Sequence, residues 1–96
     1  MRRTNTESIG AVITQLLREQ GLEKPLLEHK VLQAWPRLLG AAVARYTGKM
    51  EVKNGVLYVH IQSAPLRSEL FLCRQQLVEK LNAEVGAEII TDIRLL

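Results

Sequence analysis

The chain has 96 residues, 47% apolar and 24% charged, which is enough for one domain with a modest core and too few for a catalytic domain joined to a second one. This composition excludes a disordered chain, so residues 1–96 are predicted to form a single globular domain. The formal net charge is +3, and it resides in residues 37–60, which contain four basic residues and one acidic residue. A localised positive charge favours a polyanionic partner, and a solvated surface is the alternative.

The first predicted element is a helix that starts with Thr4 and Glu7, whose spacing is that of a capping box. Apolar residues follow on one helical face, and Gly21 is expected to end the helix because glycine readily adopts the left-handed conformation. The apolar residues are Ile9, Val12, Ile13, Leu16 and Leu17. They predict a helix with one apolar side.

Two more helices are predicted before the first strand. Pro25 suits the first turn of the second helix, whose apolar stripe ends at Trp35. Pro36 disfavours helical geometry at Trp35, so a break or kink is expected there. The third helix, residues 38–46, is short and rich in glycine and alanine, which permits close packing against a neighbour.

The dipeptide Asn54-Gly55 lies between two segments of alternating character and predicts a hairpin with a type I′ turn. The predicted cross-strand pairs are Lys53 with Val56, Val52 with Leu57, Glu51 with Tyr58, Met50 with Val59, and Lys49 with His60. Side chains alternate between the two faces of a sheet. The predicted core face contains Met50, Val52, Leu57, Val59 and Ile61. The predicted outer face contains Lys49, Glu51, Lys53, Val56, Tyr58 and His60.

One long helix of about 22 residues is predicted after the hairpin, with Ser63 as its N-cap and Gly86 at its end. Its apolar positions are Leu66, Leu70, Cys73, Leu77, Leu81 and Val85. A closing strand is predicted from the alternation of Ile89, Thr91, Ile93 and Leu95, with Arg94 pointing the opposite way. The predicted fold is α+β in the order ααα-ββ-α-β, with a three-stranded sheet packed on helices. If the last two strands are parallel, a right-handed crossover is expected.

An enzyme needs convergent acids, bases or nucleophiles, and few are present. The candidates are Asp92, His29, His60 and Cys73. None has the spacing of a catalytic triad, a metal site or a P-loop. We therefore expect a non-enzymatic protein without a cofactor or a metal.

The same inventory predicts a cytoplasmic location. A single cysteine, Cys73, cannot form a disulfide within one chain, which favours a reducing compartment. The N-terminus is basic, but polar residues, including Glu7, interrupt the apolar segment that a signal peptide needs. The longest nearly apolar run, residues 38–44, is too short to cross a bilayer, so no membrane partner is expected.

The basic segment contains the candidate residues for nucleic-acid contact. Tyr58 is a candidate for stacking on a base, because an aromatic side chain near cations is how open sheets hold single strands. His60 is a second, weaker candidate, since lone histidines on strands usually neither stack nor titrate usefully. The full predicted set is Arg37, Arg45, Lys49, Lys53, Tyr58 and His60.

A protein partner is the other predicted ligand class. Trp35 is interpreted either as core or, if partly exposed, as an anchor for a partner. Arg67, Phe71, Arg74 and Val78 form a second stripe on the long helix beside its core face. This stripe either contacts a partner or merely covers the flank of the helix with a cation and an aromatic ring. The predicted partner-binding set is Trp35, Arg67, Phe71 and Arg74.

Several short motifs occur in an order by which the sequence resembles the DciA family. Members of this family are bacterial replicative-helicase loaders, first catalogued as a domain of unknown function. The matching motifs are Trp35-Pro36, Leu39-Gly40, Gly55-x-Leu57-x-Val59, Ser63, Glu69-Leu70, Leu77, Leu81-Asn82 and Asp92-Ile93-Arg94. The resemblance extends from about residue 8 to the end of the sequence.

This resemblance implies a KH-like fold, binding to DNA, and promotion of the loading of the replicative helicase, DnaB, in the nucleoid at the initiation of replication. True KH domains clamp nucleic acid with a G-x-x-G loop, and no glycine pair here has that spacing. Binding is therefore expected to use side chains. Longer family members carry a disordered extension, so this sequence is expected to bind weakly or to need another factor.

Two alternatives remain beside a DNA-binding adaptor. The first is a protein-interaction module, such as a weak homodimer, that does not bind nucleic acid and in which the hairpin edge or the Phe71 stripe pairs with a partner. The second is an RNA-binding protein, which a KH-like sheet would suit equally well.

Overall fold

The computed structural model describes the backbone of residues 2–96 and the side chains of residues 9–96. Within that part of the chain, the fold is α+β with five helices and one three-stranded sheet, which confirms the predicted class. The helices are α1 (Arg2–Glu19), α2 (Glu23–Leu39), α3 (Ala41–Arg45), α4 (Ala64–Leu72) and α5 (Arg74–Val85); the strands are β1 (Thr47–Lys53), β2 (Val56–Ile61) and β3 (Asp92–Leu95). The predicted start of the first helix at Thr4 is wrong, because α1 begins at Arg2 and Thr4 lies within the helix. The side chains of Thr4 and Glu7 lie outside the described residues.

The turn after α1 has the geometry predicted for it. Gly21 has a φ of +71°, and the N–H of Leu22 donates to the Leu17 carbonyl at 2.7 Å. This six-residue closure satisfies a carbonyl that the helix end would otherwise leave unpaired. It ends α1 before α2 begins at Glu23.

The predicted break of α2 at Trp35 is wrong, because the helix continues through Pro36 to its end at Leu39. Proline removes one backbone donor, but the Pro36 carbonyl still accepts from the N–H of Gly40 at 2.9 Å. Gly40, with a φ of +91°, separates α2 from α3. The third helix therefore begins at Ala41, later than the predicted residue 38.

The hairpin forms with the predicted type of turn, since Asn54 and Gly55 both have positive φ values. Four of the predicted cross-strand pairs are confirmed, from Lys53 with Val56 to Met50 with Val59.

The fifth predicted pair, Lys49 with His60, is wrong, because the register shifts between Thr47 and Met50, and Thr47 pairs with Ile61. Thr47 and Met50 are three positions apart, yet both face the helices: Thr47 hydrogen-bonds to Trp35, and Met50 packs against the core. An extra residue is needed for this, which is the function of a β-bulge.

The third strand pairs with β2 in parallel, so the sheet order is β1-β2-β3. It begins at Asp92, which makes it shorter than the predicted alternation from Ile89. The segment before it is a loop, in which Ile90 rather than Ile89 is buried.

The single long helix predicted after the hairpin is also wrong, because Cys73 separates α4 from α5. The predicted ends are confirmed: the Ser63 Oγ accepts from the N–H of Leu66 at 3.3 Å, and Gly86 adopts the left-handed conformation. The two halves have different partners, since α4 contacts β2 and β3 whereas α5 packs mainly on α2. The interruption at Cys73 thus separates the residues that contact the sheet from those that pack on α2.

The core lies between one face of the sheet and helices α2 and α5. Trp35 is its largest residue and exposes 0% of its surface; the indole Nε1 donates to the Thr47 Oγ1 at 3.1 Å, and that hydroxyl donates to the Val43 carbonyl at 2.8 Å. The buried residues are Val31, Ala34, Trp35, Leu57, Val59, Ile61, Leu70, Leu77, Val78, Leu81, Ile90 and Ile93. No helix in the described part of the chain has the length and apolar character needed to cross a bilayer.

Candidate nucleic-acid and partner surfaces

The outer face of the sheet is the side directed away from the core. Alternation along the strands places Glu51, Lys53, Val56, Tyr58, His60, Asp92 and Arg94 on this face. Tyr58 is half-buried and lies between Glu51 on β1 and Arg94 on β3. Lys53 is therefore a diagonal neighbour of Tyr58, whose direct neighbours are one acid and one base. Lys49, predicted on this face, lies within the register shift of β1 and has no cross-strand partner there.

Five of the six candidate nucleic-acid residues are exposed, and Tyr58 is the half-buried one. Within the described side chains, none of the four cations, which are Arg37, Arg45, Lys49 and Lys53, forms an ion pair with an acid. Their charges are therefore available to a ligand.

The six residues do not share one face of the molecule. Lys53, Tyr58 and His60 lie on the outer face of the sheet, whereas Arg37 and Arg45 occupy the last turns of α2 and α3. The helix dipole favours a cation at a helix C-terminus, so both arginines also stabilise the ends of their helices. Residues next to the two arginines, Pro36 and Ala44, line a small cavity with Gly48, which brings the ends of α2 and α3 close to the start of β1. Lys49 lies at this junction.

The predicted partner residues Arg67, Phe71 and Arg74 lie together on α4 and the start of α5. The Arg74 guanidinium is 4.1 Å from the centre of the Phe71 ring, and the Arg67 Nη2 donates to the Ile61 carbonyl at 3.1 Å. Trp35 is not part of this surface, because it is fully buried in the core on α2. The core interpretation of Trp35 is the one that the structure supports.

Two residues beside this surface were not among the predicted site residues. Leu72 is 79% exposed next to Phe71, which is 53% exposed. Arg94 places its Nε 3.5 Å from the Asp92 Oδ2, and the Arg74 Nε is 3.4 Å from the Asp92 Oδ1. Strand alternation already predicted that Arg94 is directed away from the core, so the sequence contained a signal for this residue. No feature of the sequence distinguishes Leu72 from other apolar residues of a helix.

Comparison with known proteins gives one family. The family model described as "Dna[CI] antecedent, DciA" matches residues 8–95. A UPF0232 protein of Corynebacterium glutamicum (strain R) is 27% identical over 89 residues, covering 93% of this chain and 50% of the relative. A UPF0232 protein of Streptomyces avermitilis is 32% identical over 81 residues, covering 82% of this chain and 45% of the relative. The chain thus spans about half the length of the curated relatives it matches.

Proposed function

The chain belongs to the DciA family, and from this premise we propose that it is a non-enzymatic adaptor that helps to load the replicative helicase, DnaB, onto DNA. It would act in the cytoplasm, at the nucleoid. The observation that supports the nucleic-acid part of the proposal is the outer face of the sheet, which the described helices leave uncovered and which presents the exposed Lys53, a cation without an ion pair among the described side chains. The fold would be used in a KH-like manner, although without a G-x-x-G loop.

Contact with DNA would begin at Lys49 and Lys53. Their ammonium groups can neutralise phosphates, which positions a strand without reading its sequence. Tyr58 and His60 would then lie under the bases, where a half-buried ring is a firm platform for stacking. Arg37 and Arg45 would extend the phosphate contacts around the start of β1.

Contact with the helicase would use Arg67, Phe71 and Arg74. An exposed aromatic ring beside two guanidinium groups is typical of residues that dominate protein interfaces. This surface lies on α4 and α5, whereas the proposed DNA contacts lie on β1, β2 and the ends of α2 and α3. One molecule can therefore hold both ligands at once.

The DNA proposal is tested by titrating salt against binding of a fluorescent single-stranded oligonucleotide. With about three to five phosphates neutralised, the logarithm of the affinity should fall with the logarithm of the salt concentration at a slope of roughly −2 to −4. The double variant Lys49→Ala, Lys53→Ala should bind every sequence more weakly and reduce the slope by about 2. The charge-matched control, Lys24→Ala with Lys80→Ala, changes two exposed helical lysines and should bind like the wild type.

A slope near zero, or equal weakening in the control, would remove the electrostatic argument. Competition by single-stranded RNA at the same concentration would indicate the RNA-binding alternative.

Co-sedimentation with purified DnaB tests the second half of the proposal. The helicase should bind the wild type and the lysine double variant alike, and Phe71→Ala should bind it less.

A second candidate function is self-association through α1. Four apolar residues on one side of this helix are exposed, from Ile9 at 62% to Leu16 at 47%. A continuous apolar stripe in water marks an interaction site more often than a solvated surface. This observation favours a protein-interaction module, such as a weak homodimer, and is compatible with the adaptor role.

A further inference from the structure

Strand β3 is an edge of the sheet. It pairs with β2 on one side, and no strand in the described part of the chain pairs with its other side. The N–H of Leu96 donates to the Val59 carbonyl at 2.8 Å, and the Leu96 carbonyl accepts from the N–H of Ile61 at 3.0 Å. Backbone groups alternate in direction along a strand, so those of Leu95 and Ile93 are directed away from β2. The N–H of Ile93 is bonded to the Asp92 Oδ1 at 2.8 Å. The open edge therefore offers the N–H and C=O of Leu95 and the C=O of Ile93.

A groove runs along this edge, between β3 and the junction of α4 with α5. One part, of about 410 Å³, is lined by Arg67, Ser68, Phe71, Leu72 and Leu95. The other part, of about 450 Å³, is lined by Phe71, Arg74, Asp92, Ile93, Arg94, Leu95 and Leu96. Phe71 and Leu95 line both parts, so we treat them as one β3 groove. Its length follows the strand, as an added strand would require.

The walls of the β3 groove are apolar and exposed. Phe71 and Leu72 present most of their side chains to water, and Leu96 is also exposed at the end of the strand. An extended peptide placed along β3 would direct alternate side chains toward these residues, because strand side chains alternate. Pockets for alternate side chains, combined with main-chain hydrogen bonds, are how proteins bind peptides by strand addition.

The positive charge of the β3 groove favours a negatively charged ligand. Three guanidinium groups line it, those of Arg67, Arg74 and Arg94, against one side-chain carboxylate, that of Asp92. Asp92 pairs with both Arg74 and Arg94, and the Arg67 Nε is buried without a hydrogen-bond partner among the described residues. The groove thus has an excess of cationic donors, which suits carboxylates.

From this geometry, we propose that the β3 groove binds an extended acidic segment of a partner protein, which adds to the sheet as a fourth strand beside β3. This inference deepens the proposed function, on which it rests, by naming the chemistry of the partner segment. A second copy of this chain fits less well, because two grooves brought together would oppose like charges. A nucleic acid also fits less well, because the Arg74 guanidinium already covers one face of Phe71 and the backbone groups of Leu95 suit a peptide.

The test uses a fluorescent peptide of about eight residues in which glutamate and leucine alternate, and a second peptide with lysine in place of glutamate. Binding to the purified chain is measured by anisotropy. The glutamate peptide should bind at least about tenfold more tightly than the lysine peptide. Equal binding by the two peptides, or no binding by the glutamate peptide, would overturn the proposal.

Strand addition is tested by Leu95→Pro, with Leu95→Ala as the matched control. Proline removes the outward N–H of residue 95, and it is tolerated at an edge where that N–H faces solvent. Alanine loses the same side chain but keeps the N–H. The proline variant should bind the glutamate peptide about tenfold more weakly than the alanine variant. Equal affinity of the two variants would show that the edge is not used.

Amide exchange in the wild-type chain keeps the proposal testable if the proline variant does not fold. The Leu95 N–H should exchange more slowly when the glutamate peptide is bound, and unchanged exchange would count against strand addition. A dimer that Leu95→Pro abolishes, or oligonucleotide binding that Phe71→Ala abolishes, would assign the groove to another occupant. If DnaB binds the proline and alanine variants equally, this inference fails and the proposed function stands. If the glutamate peptide binds as expected but DnaB does not bind the chain, the proposed function fails and the inference about the β3 groove stands.

Discussion

The side chain of Asn82 holds the short loop between α5 and β3 through three hydrogen bonds. Its Oδ1 accepts from the N–H groups of Ile89 and Ile90, both at 3.1 Å, and its Nδ2 donates to the Ile90 carbonyl at 2.8 Å. These bonds satisfy the backbone of a segment that precedes β3 and that places Ile90 in the core. They also explain why the predicted strand does not start at Ile89, since the backbone groups there are bonded to α5 rather than to β2.

Removing the side chain of Asn82 should therefore destabilise the protein well beyond the loss of its few atoms. We expect Asn82→Ala to lower the free energy of unfolding by about 2–3 kcal/mol, because the N–H and C=O of Ile90 lose their partners and the N–H of Ile89 keeps only the Ala87 carbonyl. The variant Asn82→Asp keeps the acceptor for Ile89 and Ile90, but it places a carboxylate oxygen where the amide donated to a carbonyl. It should also be destabilised.

Urea denaturation measures both variants of Asn82, with Gln76→Ala, an exposed change on the same helix, as the control. The control should stay within about 0.5 kcal/mol of the wild type. An alanine variant as stable as the control would show that water replaces the three bonds without cost.

At the scale of elements, the hairpin was predictable because its determinants are local. The turn depends on two adjacent residues, and the core face depends on alternation within each strand. The continuation of α2 through Pro36, the bulge beside Lys49 and the break at Cys73 were not predictable, because each is decided by a distant partner. Trp35 and Thr47 bond across the α2 and β1 interface, and α4 and α5 pack on different neighbours.

The candidate site was predictable to a similar extent. Spacing on one helical face already grouped Arg67, Phe71 and Arg74, and these three stay together across the break at Cys73. Val78, the fourth member of the predicted stripe, is instead buried in the core. The β3 groove combines these residues with Leu95, which is far away in the sequence. Only the packing of β3 beside α4 and α5 brings the two sets together.

The exposed stripe of α1 makes a prediction at this same scale. The double variant Ile13→Glu, Leu16→Glu should abolish self-association, because buried carboxylates would face an apolar partner helix. Stability of the monomer should change by no more than about 0.5 kcal/mol, since both side chains are half exposed already. The charge-matched control Ala11→Glu, Thr14→Glu lies on the opposite side of α1 and should associate like the wild type.

Sedimentation at several protein concentrations, with and without oligonucleotide, measures this association. If neither pair of substitutions affects it, the stripe of α1 is not the contact. A stable dimer that is indifferent to DNA would instead favour the protein-interaction module over the adaptor.

At the scale of the whole molecule, α1 stands apart from the rest of the fold. The Cα radius of gyration is 15.7 Å, and the extents are 53 × 25 × 20 Å. A compact chain of this length should have a radius of gyration of about 12.5 Å. None of the buried core residues belongs to the described part of α1. The folded unit that presents both proposed surfaces is therefore formed by the elements from α2 onward.

A chain shortened to begin at Leu22 should keep this unit folded. We expect a single cooperative unfolding transition with a loss of no more than about 1 kcal/mol, because few native contacts are removed. The fluorescence of Trp35, measured during thermal unfolding, reports on the core. Deletion of residues 92–96 is the contrasting control and should abolish the transition, since Ile93 is buried. Loss of cooperativity in the chain that lacks α1 would show that the helix is needed for the fold.

The parallel pairing of β2 with β3 also has a kinetic consequence. Gly55 and Thr91, which are bonded to each other beside this pair, are 36 positions apart, so the contact must wait for α4 and α5 to form and cross the sheet. Closing such a long loop is entropically costly, whereas the β1–β2 turn can close early. Until β3 arrives, β2 is an unprotected apolar edge in a partly folded chain. Aggregation during refolding or synthesis should therefore depend on how quickly the final strand docks.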